Sequence, residues 1–203
     1  IPFHGTLYNP ATVGDVRKVV APPYDIIDST LQKTLYDRHP NNVIRLELGY
    51  EQPGDTPANN KYTRAAGALR DWLKSGALRK DSQPAVYYHT IEYRPPYSAP
   101  GTPTKVFKGF LSTVELEEFG SGKIYPHENT RAAAKTDRLN LLEACGANFS
   151  AIISLYSDPQ NEVLTLLEQS IAAEKPRIDF QDDEGFRQQL WSVTDANVLA
   201  KVV

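Results

Sequence analysis

Residues 85–116 read AVYYHTIEYRPPYSAPGTPTKVFKGFLSTVEL, and their reading decides the fold. Positions 85–93 are dominated by β-branched and aromatic side chains, which suit a pleated surface better than a helix. The same holds for positions 105–116. Between them lies RPPYSAPGTPT, whose prolines supply no N–H to a helix or to a ladder. Two strands joined by a long proline-rich loop predict an antiparallel pair.

Toward the C-terminus, AIISLY at 151–156 predicts a short buried strand. Residues 162–173 predict a helix with Val163, Leu166, Leu167 and Ile171 inward, 177–180 and 190–193 are short strands, and Asp195 caps a last helix. Toward the N-terminus, 61–75 has an apolar stripe of Tyr62, Ala65, Ala66, Leu69, Trp72 and Leu73, with Gly76 suited to the position just past the helix end. Asp28 or Ser29 caps a helix to about His39, with Leu31 and Leu35 on one face and Pro40 as its stop. NVIRLEL at 42–48 alternates apolar with polar and predicts a half-buried strand. Helices and strands mix without strict alternation. The expected fold is therefore α+β, with a mixed, mainly antiparallel sheet and packed helices, as a single domain or fragment over 1–203.

The chain has 203 residues, 40% hydrophobic, and a net charge of -3. That is an ordinary globular composition, and its acidic balance gives generic nucleic-acid binding no global support. A single cysteine, Cys145, excludes an intrachain disulfide and suits a reducing compartment, so a cytoplasmic location is expected. There is no apolar run of ~18 residues and no basic-then-apolar leader, so no membrane association is expected. Methionine is absent even at position 1, so the sequence reads as a fragment of a longer protein.

The stretch with the most chemistry is GKIYPHENTRAAAKTDRLNLLEACG at 122–146. Thr130 or Asn129 suits a helix N-cap, and a helix from about 129 to 145 puts Arg131, Lys135 and Arg138 on one stripe, with Gly146 past its end. Free amides at such a start, two guanidiniums and an ammonium make a phosphate clamp. His127 or Glu128 then stands as a general base for a bound hydroxyl. The competing reading is a capped amphipathic helix with Leu139, Leu142 and Cys145 inward and the cations solvated, and spacing alone favours it. Adjacent His127 and Glu128 give no metal signature. In APPYD, two prolines hold Tyr24 and Asp25 rigidly, either at a site edge or simply in a stiff turn. His39, Arg45 and His89 read as structural, and Cys145 as a packing residue, not a nucleophile. No Walker loop, G-x-G-x-x-G, zinc spacing or G-x-S-x-G occurs.

The order APPYDII, HPNNVIRLELG, PAVYYHTIEY, KVFKGFLSTVEL, GKIYPHENTRAAAKTDRLNLLEACGANFSAIISLY and LWSVTD resembles the bacterial and archaeal "domain of unknown function 1015" family across essentially the whole chain. The G-x-I-x-P-H-E-x-T…K-x-D-R-L motif carries most of that resemblance. It implies that this chain is the N-terminal half of a protein roughly twice as long. It also implies a following Ala-Asp-Gly-His-His-Arg-Tyr motif, similar to one in ParB-like proteins that include free-serine kinases, where it handles nucleotide phosphates. Through the resemblance, His127, Glu128, Thr130, Arg131, Lys135, Asp137 and Arg138 are expected to line a site, with Tyr24 and Asp25; Asp137 and Arg138 as a purely structural ion pair remains the alternative.

The implied functions are two. One is a phosphoryl-transfer enzyme using ATP or ADP with Mg²⁺ on a small hydroxyl metabolite. There Glu128 or His127 is the base, Asp25 holds the metal or orients the acceptor, and Arg131, Lys135 and Arg138 neutralise phosphoryl charge. The other is a non-catalytic nucleotide- or metabolite-binding regulator. A DNA-associated module, by ParB analogy, is disfavoured by the acidic balance.

Overall fold

In the computed structural model, residues 1–99, 101–118, 120–126 and 129–202 are described. In chain order, β1 is Thr6–Tyr8, α1 Pro10–Val13, α2 Ser29–Arg38, α3 Ile44–Glu47, α4 Lys61–Ser75, β2 Leu78–Lys80, β3 Val86–Tyr93, β4 Lys105–Leu111, α5 Ala132–Cys145, α6 Glu162–Ile171, β5 Ile178–Gln181, β6 Arg187–Val193 and α7 Ala196–Val202. The fold is α+β. β1 pairs with β2, and the larger sheet runs in the order β4-β3-β6-β5. All three pairings of that sheet are antiparallel.

The chain divides into two compact units. The sheet unit comprises Ile1–Thr6, Lys80–Glu115 and Ile153–Val203. Its core gathers Val86, Tyr88 and Val193 from the sheet with Leu167 and Ile171 of α6 and Leu199 of α7. The expected pairing of 85–93 with 105–116 is present, with Tyr88 opposite Phe110 and His89 opposite Gly109. As expected, Asp195 caps α7, its carboxylate accepting the N–H groups of Asn197 and Val198.

The helical unit comprises Leu7–Arg79 and Leu116–Ile152. Val13, Val19, Leu46, Trp72, Ala77 and Leu78 form its core, with Tyr8, Leu69 and Phe149 packed on it. α4 matches its sequence reading at both ends. Asn60 and Thr63 close a reciprocal capping box, and Gly76 takes the left-handed conformation at φ 77°.

Three sequence expectations fail. Residues 42–48 are not a strand. They contain α3, because the buried Asn42 amide donates to the Lys18 and Val20 carbonyls while its oxygen accepts the Ile44 N–H, fixing a helical turn. AIISLY at 151–156 belongs to no strand and is not buried, with Ile152 87% and Leu155 95% exposed. α5 begins at Ala132 rather than at 129. Arg131 holds its N-cap position without a side-chain cap bond, so neither Thr130 nor Asn129 caps it. Its inward residue is Leu141, while Leu139 and Leu142 are exposed.

Candidate functional site

The candidate site lies wholly within the helical unit, where α3, α4 and α5 bring charged side chains together. Asn60 caps α4, so Lys61 and Tyr62 sit in its first turn. Asp137 and Arg138 sit near the middle of α5, on the face that also carries Leu141. Glu47 ends α3 and is buried.

Asp137 is the hub. Its Oδ1 accepts the Tyr62 hydroxyl at 2.8 Å and stands 2.9 Å from Lys61 Nζ. Its Oδ2 accepts Arg138 through Nη2 at 2.5 Å and Nε at 3.1 Å. Burial alone raises its pKa, but the bonds from Arg138, Lys61 and Tyr62 outweigh this and hold the carboxyl down at about 2. Burial likewise opposes the charge on Lys61, and its bonds to Asp137 and Glu51 reverse that, so its pKa is raised.

Arg138 reaches across to α3. Nη2 donates to the Glu47 carbonyl at 2.8 Å, and Nη1 stands 3.4 Å from Glu47 Oε1. Ser150 donates its hydroxyl to the same Glu47 oxygen. The guanidinium lies over the Tyr24 ring, 4.2 Å from its centroid. Tyr24 stands in a single 3-10 turn, Tyr24–Ile26, whose N-cap is Pro23. Beside these groups is a cleft of about 10 Å³, lined by Leu48, Gly49 and Leu141 as well as Glu47, Lys61 and Asp137. That is room for about one water molecule.

The structure brings together Tyr24, Asp137 and Arg138 of the expected site. Arg138 is engaged by Asp137 and Glu47, whereas Arg131 and Lys135 are solvent-exposed. Thr130 and Asp25 are also exposed, Asp25 within the 3-10 turn. His127 and Glu128 lie outside the described residues. Among the described residues, no group of three His, Cys, Asp or Glu side chains could hold a metal ion, and no helix is long and apolar enough to cross a membrane.

Sequence reading missed Glu47, Lys61, Tyr62 and Ser150. Glu47 was hidden in a segment that alternates like a strand, and Tyr62 was counted in an apolar stripe. The one available signal was the cation Lys61 immediately after a helix cap, where a helix dipole disfavours positive charge unless a carboxylate compensates. The residues read as structural remain so. His89 meets Gln188 Oε1 at 3.0 Å, and burial lowers its pKa despite that bond. Arg45 donates to the Pro40 and Tyr36 carbonyls. Burial raises the pKa of the half-buried Cys145 thiol.

A family model described as "Protein of unknown function (DUF1015)" matches residues 1–203. No curated protein and no solved structure matches the chain.

Proposed function

We propose for this chain, which belongs to the DUF1015 family, a role in binding the phosphate of a nucleotide or phosphorylated small metabolite at the Tyr24–Arg138 face of its helical unit. One observation carries the reading. Two stretches far apart in sequence, PPYD and the Arg131–Arg138 segment, meet through the Arg138 guanidinium over the Tyr24 ring. An aromatic ring and a fixed guanidinium make a rigid wall, which costs little further ordering when a ligand arrives. Exposed Arg131 and Lys135 supply the cations that remain open to an anion.

Binding without chemistry is the reading that the described side chains support best. Asp137, the carboxylate at the hub of the site, is held near a pKa of about 2 and is far too weak a base to take a hydroxyl proton at neutral pH. Phosphoryl transfer is the second reading, with ATP or ADP and Mg²⁺. Exposed Asp25 on its rigid turn favours it, since Mg²⁺ uses one or two carboxylates and completes its shell with water and substrate phosphates. His127 or Glu128 would then be the base, and the kinase assignment rests on analogy to ParB-like serine kinases.

The test uses the intact protein with ATP, ADP and inorganic phosphate, with and without Mg²⁺, followed by thermal unfolding and by ³¹P NMR. Binding raises the transition temperature, by about 2.7 kcal/mol of stability at a hundredfold excess over Kd. Replacing Arg131 and Lys135 together by Gln weakens that binding roughly tenfold, or about 1.4 kcal/mol. No stabilisation at millimolar nucleotide or phosphate would refute the site. A phosphorylated product, lost on the order of 10²-fold in Glu128→Gln, would establish the second reading over the first.

A further inference from the structure

The larger sheet has an open edge. Among the described residues, β4 ends the order β4-β3-β6-β5 and has one neighbour strand. Apolar side chains on both of its faces also remain open to solvent, with Val106 and Phe107 each 49% exposed. Edges of this kind recruit further strands unless something covers them. In the same unit, residues 153–156 belong to no strand, yet they are β-prone and turn large apolar side chains to solvent. Ile153 is 71%, Leu155 95% and Tyr156 51% exposed. The Tyr156 ring already meets Phe110 of β4 edge-on, with centroids 5.7 Å apart.

The geometry also sets a register. Just beyond β4, Thr113 donates its N–H to the Ile1 carbonyl at 2.9 Å and accepts the Ile1 ammonium at 2.7 Å. Backbone groups alternate in direction along an antiparallel strand, so Ser112 and Phe110 aim theirs the other way, at the open edge. Placing Tyr156 opposite Phe110 in the antiparallel sense sets Leu155 against Leu111, Ser154 against Ser112 and Ile153 against Thr113. The first three pairs join side chains of one character and the fourth joins two β-branched residues, and such cross-strand neighbours stabilise a sheet. The parallel sense would set Ser154 against Lys108 and Leu155 against Gly109, losing two of those pairs.

We propose that residues 153–156 close onto β4 as a fifth, antiparallel strand, the occupant of this edge being the chain's own segment. The hydrogen-bonded pairs are then Phe110 with Tyr156 and Ser112 with Ser154, and the Leu155 N–H points away from β4.

Residue-resolved amide hydrogen exchange on the intact protein tests this. The Ser154, Tyr156 and Ser112 amides exchange on the order of 10²-fold more slowly than in free peptides, and Leu155 exchanges fast. Free-peptide rates at Ser154 and Tyr156 would overturn the proposal. Protection that fades on dilution would overturn it too, by assigning the edge to a second copy of the chain. Ser154→Pro removes one donor of the new ladder and returns the Ser112 amide to fast exchange while β3 amides keep their protection. Persistent Ser112 protection in that variant would refute the register. Should the variant unfold, the unmodified protein's exchange pattern still decides.

Discussion

Asp137 shows how a residue that looks like surface charge in sequence becomes a structural hub. It is a quarter exposed, with a side-chain accessibility of 24%, and it takes four donor contacts from three residues. Its folded pKa of about 2 lies below the ordinary 3.8, so its contribution to stability is complete above the unfolded value. That contribution is lost as pH falls through the unfolded value toward about 2. Allowing for solvent screening of a partly exposed group, it amounts to about 1–2 kcal/mol. Asp137→Asn should therefore lower stability at pH 7 by roughly that amount or slightly more, because Lys61 and Arg138 lose their shared counter-charge. The variant should also lose part of the acid sensitivity between about pH 4 and pH 2. Urea titrations across that range measure both effects. An unchanged pH profile would mean that the carboxylate is not held as described. Asp81 and Glu168 are also lowered, so the slope shrinks without vanishing.

At the scale of elements, α5 makes the sharpest prediction, because sequence and structure choose different faces. Leu141 is 5% exposed and Leu139 51% exposed. Leu141→Ala should cost about 2–5 kcal/mol and Leu139→Ala within about 0.5 kcal/mol, as read by chemical denaturation. The reverse order would restore the face that spacing favoured. Elements whose signals were local were legible in the sequence. α4 carries its cap, stripe and terminal glycine in one run of residues, and the β3–β4 hairpin carries its own proline-rich break. The inward face of α5 was not legible, because it contains Asp137 and Arg138, which look solvent-facing until Lys61 and Glu47 arrive to pair their charges and Tyr62 to donate a hydrogen bond. α3 was not legible either, since seven alternating residues fit a strand or a helical turn equally well. What decides is a side-chain amide, Asn42, bonded to carbonyls more than twenty residues away. The site was half legible for the same reason. Tyr24, Asp137 and Arg138 stood out as residue types, but their partners come from segments with no chemical motif.

At the scale of the whole molecule, the two hydrophobic cores share no residue, and each holds one of the chain's two tryptophans. Trp72 reports on the helical unit and Trp191 on the sheet unit, so single-tryptophan variants can follow each core separately. Leu167, fully buried in α6, is part of the cluster that packs on Trp191. Leu167→Ala should cost about 2–5 kcal/mol through the cavity that it leaves. In the Trp72→Phe background, the Trp191 transition should move to lower denaturant by that amount. In the Trp191→Phe background, the Trp72 transition should move less, because nothing in its own core has changed. Equal shifts in both backgrounds would mean that one cooperative transition spans both cores, and the chain would have to be treated as a single two-state system. Non-coincident shifts would also localise the proposed phosphate site. Nucleotide should then raise the transition reported by Trp72 and leave that reported by Trp191 where it was, since binding stabilises only what unfolds with the site.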